Sequence, residues 1–270
     1  MQLSAVLASQ FVLPSIPKIV ALLLSELEHD QPDLKRITQL ISVDPALAIR
    51  LMQLSNSGFF KLSGKLNSVS ESLAVVGLGH VRTMATASAT KASLKAVVGV
   101  NLQQYWSYSL DVAKVSRSLA GVLHQNQQAA FTAGLIHHVG ELVMRLVMRE
   151  EMASLDAEFP ALDPRRSRAE RKALGFHHAD VAAGLARQWL FPEPIVDALE
   201  HQDAPFFEGS YEPLAGVVHL AAWRARCKDA GLNQREMAVT FPGEVGDVLS
   251  LDIDVVLQQD PIDWTSPRRG

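Results

Sequence analysis

A single cysteine, Cys227, stands in 270 residues, so no disulfide can form within the chain. It has no Cys-x-x-Cys partner for a structural zinc site, and such usage suits a reducing compartment. Positive charge is also short: 25 Lys and Arg against 29 Asp and Glu give a formal net charge of −4. Sequence-independent nucleic-acid binding needs a basic footprint, which this balance does not supply. Apolar runs such as Ile19 to Leu24 fall far short of the ~20 residues of a membrane span. No Lys or Arg precedes Lys18, so the basic n-region of a signal peptide is missing. The chain has no Gly-x-Ser-x-Gly elbow and no Gly-x-x-x-x-Gly-Lys phosphate loop. A cytoplasmic protein without a membrane or nucleic-acid partner is the expectation.

What the chain does have is helical periodicity. Hydrophobic types make up 48%, ordinary globular composition. Ile16, Ile19, Val20, Leu23 and Leu27 form one stripe, and Leu34, Ile37, Leu40 and Ile41 form the next. Asp44-Pro45 marks a helix start, because an Asp side chain caps free amides and proline forgoes only an unpaired one. Ser68 can cap another helix, with Gly77 placed for a left-handed stop. Further helices are expected at Gln103–Leu123, Gln127–Ile136, Glu141–Met148, Ser167–Leu174, Ala179–Leu190, Ile195–Glu200, Leu214–Ala230 and Asp252–Gln258. No segment alternates as a strand does. The fold class expected is all-α: a two-lobed helical bundle without repeats. Softer stretches at Lys91–Leu102 and Phe206–Pro213 interrupt it. The dense basic run Arg165, Arg166, Arg168, Arg171 and Lys172 reads as a solvated helix face.

The informative residues are nine histidines, with two adjacent pairs, His137-His138 and His177-His178. Imidazole is the commonest nitrogen ligand for transition metals, and helices can converge several on one ion. Neighbours on a helix point about 100° apart, however, so a His-His pair alone argues weakly for a metal site. Hydrogen-bonded interior histidines and metal ligands both remain open. Tyr105, Trp106 and Trp189 read as core. Cys227 has Arg and Lys neighbours that would lower a thiol pKa, but nothing else suggests a nucleophile. Asn56 and Ser57 read as closing a helix before Gly58-Phe59-Phe60.

An ordered set of motifs runs through the chain. It begins with Leu13-Pro14-Ser15-Ile16-Pro17, Ile41-Ser42-Val43-Asp44-Pro45-Ala46-Leu47 and Arg50 to Phe60. It continues with Ala74 to Arg82, Ala133-Gly134-Leu135-Ile136-His137, Leu174 to Ala179, Gln188 to Pro192 and Val218-His219-Leu220-Ala221. With these the chain resembles the HDOD domain, the HD-related output domain of bacterial signalling proteins. The resemblance covers about residues 11–230, with an N-terminal helical lobe at about 11–95, an HD-like lobe at about 103–230 and a C-terminal extension at 231–270.

That family is similar to HD-superfamily metal phosphohydrolases but characteristically loses their ligands. The resemblance implies that the early ligand histidine falls on Tyr108. His137 matches the first member of the His-Asp pair, and His138 takes the aspartate's place. His178 matches the next histidine. The later His-His pair falls on Gln202-Asp203, or on His201-Gln202 if the register slips by one. The final aspartate is Ala222, and Glu141 occupies a usually basic position. Tyr, with a pKa near 10, is a poor ligand at neutral pH, and His for Asp removes an oxygen donor that hard cations prefer.

The reading that follows is a non-catalytic signal-transduction module acting on a protein partner, with no catalytic residue and no cofactor. The remnant positions are Tyr108, His137, His138, His178 and Ala222, and Asn56, Phe59 and Phe60 form a candidate interaction loop. One alternative is a phosphohydrolase whose divalent transition metal is held by His137, His138, His178, His201 and Asp203. Another is a nucleotide or second-messenger sensor, with Arg145 and Arg187 as its cations.

Overall fold

A computed structural model describes residues 1–92, 97, 99–206 and 211–262. The expected lobe boundary near residue 95, the middle of the Phe206–Pro213 loop and the terminal run Thr265 to Gly270 lie outside the described residues. Among the described residues every regular element is helical, with sixteen α-helices, one 3-10 turn and no strand. The all-α expectation holds. No described helix is long and apolar enough to cross a membrane.

A short α1 (Leu3–Leu7) is followed by α2 (Pro17–Leu27), α3 (Leu34–Ser42), α4 (Pro45–Ser55) and α5 (Val69–Ala92). Helices α2 to α5 pack on one another. Asp44 caps α4 as its sequence suggests, its Oδ1 accepting from the Leu47 amide at 3.0 Å. Its other oxygen accepts from the Ile16 amide at 2.6 Å. Arg50 reaches the same segment, donating to the Leu13 carbonyl at 2.6 Å and to Ser15 Oγ at 3.0 Å. Two motifs 28 residues apart therefore hold each other in place. Ser68 Oγ caps α5 through the Glu71 amide at 3.2 Å. Gly77 takes a positive φ of 75° but a ψ of 160°, so α5 kinks there and resumes, where the sequence suggested a stop.

The second group begins with α6 (Leu102–Val122), α7 (Gln127–Ile136), α8 (Val139–Val147), α9 (Arg149–Asp156) and α10 (Arg166–Leu174). It continues with α11 (His178–Gln188), α12 (Glu193–His201) and α13 (Pro213–Ala230). Helix α6 lies between α7 and α13, and α11 lies between α8 and α12. The two groups share one continuous hydrophobic core. Thr132 of α7 donates across to the Asn67 carbonyl at 2.8 Å. The chain's first helix crosses over to α11, where Leu7 lies against Gly184.

Helices α14 (Gln234–Thr240), α15 (Gly243–Leu249) and α16 (Ile253–Gln258) follow. They pack back through a Trp223–Phe241 ring contact at 5.2 Å and an Arg224–Asp260 ion pair at 2.5 Å. Sequence periodicity missed α1, α9, α14 and α15, each only five to eight residues long. A stripe needs more than two turns before it can be told from chance.

Candidate functional site

His137 and His138 do not lie within one helix. Helix α7 ends at Ile136, His137 is its C-cap, and His138 is the N-cap of α8. The backbone turns between them, and the two rings stack at 5.5 Å with planes 18° apart instead of diverging as helix neighbours would. Tyr105 stacks on the far face of this pair, 5.5 Å from His138, and Tyr108 leans on His137 at 5.3 Å. The Tyr105 hydroxyl donates to the His138 carbonyl at 2.6 Å, fixing the column from α6.

Both imidazoles of the column are buried. His137 Nδ1 donates to the Gly134 carbonyl at 2.7 Å, which leaves Nε2 as the bare nitrogen. His138 Nδ1 likewise has no partner. Burial pushes the His137 pKa down to about 3, and burial together with neighbouring His178 holds His138 well below its ordinary value. Both rings are neutral at pH 7. Burial also raises the Tyr108 hydroxyl, although the Arg226 charge works against this. Neither tyrosine is a phenolate.

Gly140 brings the second histidine pair to the first. A Cβ there would run into the His178 carbonyl, so glycine lets α8 approach the backbone of α11. His178 then lies edge-on to His138 at 5.2 Å. His177 caps α11: its amide donates to the Asp180 carboxylate at 2.9 Å. Its Nδ1 accepts from the Asp180 amide at 3.3 Å, completing the capping box, and its Nε2 lies 2.7 Å from an Arg171 guanidinium nitrogen.

His178 is the charged member. Its Nδ1 donates to Glu170 at 2.8 Å, and its Nε2 faces Asp203 at 3.7 Å. Burial alone would lower its pKa, but Asp203 and Glu170 overcome this and lift it to about 9. Behind Glu170 lies a buried ionic cluster. Arg166 donates to Glu170 at 2.8 Å, Asp156 at 2.8 Å and Glu141 at 3.2 Å, and also to the Phe159 carbonyl. Arg145 donates to Glu141 at 2.9 Å and to both oxygens of Asp156 at 2.6 and 2.7 Å. Burial and the adjacent Glu170 raise the Glu141 carboxyl to about 8, whereas hydrogen bonds from His178 and Arg166 hold Glu170 low against its own burial. Glu141 is thus the protonated partner of the two. Arg145, Arg166 and His178 are then balanced by Asp156, Glu170 and Asp203.

Several sequence expectations are corrected here. Arg166 is no solvated residue: its side chain is 2% exposed, whereas neighbouring Arg165 is 71% exposed. Arg145 serves the ionic cluster, and Arg187 pairs with Glu200 on the surface, so neither is a free pocket cation. Trp106 is core, but Tyr105 and Trp189 are only half-buried. Burial pushes the Cys227 thiol up, against the lowering its basic neighbours suggested.

The structure gathers Tyr108, His137, His138 and His178 ring to ring, with Asp203 joined through His178. His201 turns to its own helix, where Nδ1 donates to the Asp197 carbonyl at 3.0 Å. Gln202 donates to the His137 carbonyl at 3.0 Å, and His219 donates to the Gln202 carbonyl at 2.7 Å. Ala222 is buried on α13, and Arg226 lies one turn further along. The Arg226 charge acts on Tyr108, His137, His219 and Asp203. Sequence reasoning missed Glu170, Arg226 and the cluster around Arg166. The i,i+4 pairs Glu141–Arg145 and Arg166–Glu170 were the available signal.

The resemblance to HD-type hydrolases implies divalent cations in this region, and these residues do not fit such an ion. The two bare imidazole nitrogens could ligate one. Yet Tyr108 is a neutral phenol, Ala222 offers no donor, His178 is protonated and Arg226 adds positive charge. Among the described residues, three ligand atoms within 4.8 Å of one another come only from Glu141, Glu170 and His178. These already hold each other and two guanidinium groups, so an ion there would displace protons and compete with both arginines.

An all-helical scaffold of HD-like type, with Tyr108, His137, His138 and His178 gathered ring to ring, defines the class. Residues 13–205 match the HDOD domain, and the chain belongs to that family. It is similar in structure to the MmoQ response regulator of Methylococcus capsulatus strain Bath, with 22% identity and a TM-score of 0.75, covering 93% of this chain and 98% of that one. It is also similar to a candidate phosphohydrolase from Shewanella amazonensis SB2B, with 26% identity and a TM-score of 0.54, covering 92% and 90%. An uncharacterized protein of Treponema pallidum strain Nichols is 26% identical over 223 residues, 80% of this chain and 43% of that relative. The chain spans less than half the length of the curated relatives it matches.

Proposed function

We propose that this chain is a non-catalytic regulatory module of a bacterial signalling pathway, acting in the cytoplasm by reversible association with a protein partner. The observation that carries the reading is the column Tyr105–His138–His137–Tyr108, flanked by protonated His178 and by Arg226. Activating water against a phosphoester requires an ion with an open coordination position. Two neutral imidazoles beside cationic groups do not hold one well. Family membership and the likeness to a response regulator agree with a signalling role.

One observation favours a second reading, a metal-dependent phosphohydrolase using His137, His138, His178, His201 and Asp203. It is the pair of bare, buried nitrogens, His137 Nε2 and His138 Nδ1. A single experiment separates the two. Phosphodiester and phosphomonoester turnover is measured on native protein and on a chelator-treated control, with elemental analysis of each. No turnover is expected from either preparation, even if zinc is scavenged. Turnover that tracks bound metal and disappears in His137→Ala overturns the regulatory reading.

A further inference from the structure

The N-terminal group of helices carries a built, exposed projection that the histidine site does not use. Asn56 ends α4 and clamps the chain ten residues on: its Oδ1 accepts from the Leu66 amide at 2.7 Å, and its Nδ2 donates to the Leu66 carbonyl at 3.2 Å. Ser57 Oγ donates to the Leu54 carbonyl at 2.6 Å on the near side. Residues 57–65 are thereby held as a closed loop with fixed ends.

At its tip, Phe59 is 70% exposed, far more than burial statistics lead one to expect of phenylalanine. It is not loose. Phe60 meets it edge-on at 5.0 Å, and His80 of α5 meets it at 5.9 Å. Leu62 extends the apolar surface, 39% exposed. A rigid aromatic ring presented to solvent is the residue type and the state that anchor protein interfaces, since little side-chain entropy is lost on docking.

The surrounding charge selects the partner. Lys61 lies between Phe59 and Leu62 in the loop, Lys65 follows three residues after Leu62, and both lysines are exposed. From Pro45 to Arg82 the only carboxylate is Glu71, in a chain that is net acidic. That carboxylate is exposed at the start of α5, where it accepts from the Asn67 amide at 2.8 Å. The loop is therefore a cationic, apolar projection on an acidic protein.

We infer that the loop from Gly58 to Lys65 is the docking surface of the module, and that its occupant is an acidic protein segment whose apolar side chain packs on Phe59. Carboxylates of the segment pair with Lys61 and Lys65. The ion pairs set encounter rate and orientation, and the ring contact supplies most of the residence time. This assignment rests on the regulatory reading, because it names the partner chemistry that reading leaves open.

The test is a nuclear magnetic resonance titration of the full, isotope-labelled chain. The probe is a short acetylated peptide alternating glutamate with leucine. Its lysine counterpart, phosphatidylglycerol vesicles and a single-stranded oligonucleotide are titrated in parallel. The acidic peptide is expected to shift amides of Phe59 to Lys65, with affinity falling as salt rises. Phe59→Ser and the pair Lys61→Glu with Lys65→Glu should each weaken it about tenfold or more. These side chains are exposed, so the variants are expected to fold, and an unchanged circular dichroism melt checks this. Shifts elsewhere, no shifts, equal binding of the lysine peptide, or preferential binding of vesicle or oligonucleotide each overturn the assignment. The regulatory reading stands or falls on the turnover assay, which involves none of these residues, so the two fail separately.

Discussion

His178 divides its two ring nitrogens between two carboxylates, Nδ1 to Glu170 at 2.8 Å and Nε2 toward Asp203 at 3.7 Å. A buried imidazole would ordinarily be neutral, so the pair of carboxylates is what keeps this one charged. The charge in turn ties α10, α11 and the turn after α12 together at the edge of the aromatic column.

That arrangement makes stability depend on pH with a definite sign. The folded His178 pKa of about 9 lies above the ordinary 6.5, so its contribution is complete below pH 6.5 and is lost as pH rises through 9. The stability gap between wild type and His178→Gln should narrow by up to about 3 kcal/mol across that window. His137 has the opposite sign. Its folded pKa of about 3 means that its contribution is complete above pH 6.5 and declines as pH falls toward 3. Urea denaturation of wild type, His178→Gln and His137→Gln over this range measures both limbs. A pH-independent gap for His178→Gln would show that its imidazole is neutral in the fold.

Arg166 and Arg165 are sequence neighbours with opposite fates, and substituting each gives a sharp contrast. Arg166 holds Asp156, Glu170 and Glu141 together inside the protein. Arg166→Met leaves buried carboxyl groups without their cation, an outcome that costs roughly 3–5 kcal/mol. Arg165 pairs with Asp163 in solvent, where ion pairs count for little. Arg165→Met should leave the unfolding midpoint unchanged. Chemical denaturation of the two variants side by side decides the matter, and equal effects would contradict the cluster.

The same two arginines show where sequence reading works and where it stops. Local signals were legible: the stripe from Gln127 to Ile136 is α7 residue for residue, and Asp44 caps α4. Those features depend on a few residues within one or two helical turns. Arg166 sits in a run that looks like a charged surface, and only α8 and α9, up to 25 residues away, turn it into core. His137-His138 argued weakly for a site because helix neighbours diverge, whereas the pair lies between the helices expected at Gln127–Ile136 and Glu141–Met148, where the chain turns from α7 to α8. The resemblance implies that Tyr108, His138 and Ala222 are changed positions. That Arg226 acts on the same place depends on the packing of α13 against α6 and α7, which no local pattern encodes.

Gly140 offers a test of the close approach that assembles the site. Its missing Cβ leaves room for the His178 carbonyl and the Ala182 amide of α11, both backbone atoms that cannot rotate away. Gly140→Ala must therefore separate α8 from α11, at a cost of about 3 kcal/mol or more, the upper end for overpacking. Gly79 in α5 is the control: nothing lies within 4 Å of a Cβ built there. Gly79→Ala should be neutral or stabilising by up to about 1 kcal/mol, because alanine favours helix. Thermal melts of both variants measure the contrast, and a Gly140→Ala protein as stable as wild type would refute the backbone approach.

The Asn56 clamp makes the final prediction, which concerns loop order separately from partner binding. The side-chain amide both accepts from and donates to Leu66, as a neighbouring strand would, and closes the loop that carries Phe59. Asn56→Asp keeps the acceptor toward the Leu66 amide but turns a second carboxylate oxygen toward the Leu66 carbonyl. One hydrogen bond becomes a repulsion at a buried position, where an unmet polar group costs about 1–3 kcal/mol. Asn56→Ala removes both bonds and leaves the two Leu66 groups to water. The Leu66 amide should exchange its hydrogen faster in both variants. In Asn56→Asp that acceleration should be the smaller, because the acceptor bond survives, even though global stability falls. Amide exchange read residue by residue, beside a denaturation curve, distinguishes these orders. An unchanged Leu66 exchange rate in Asn56→Ala would mean that the loop is held by something other than this clamp.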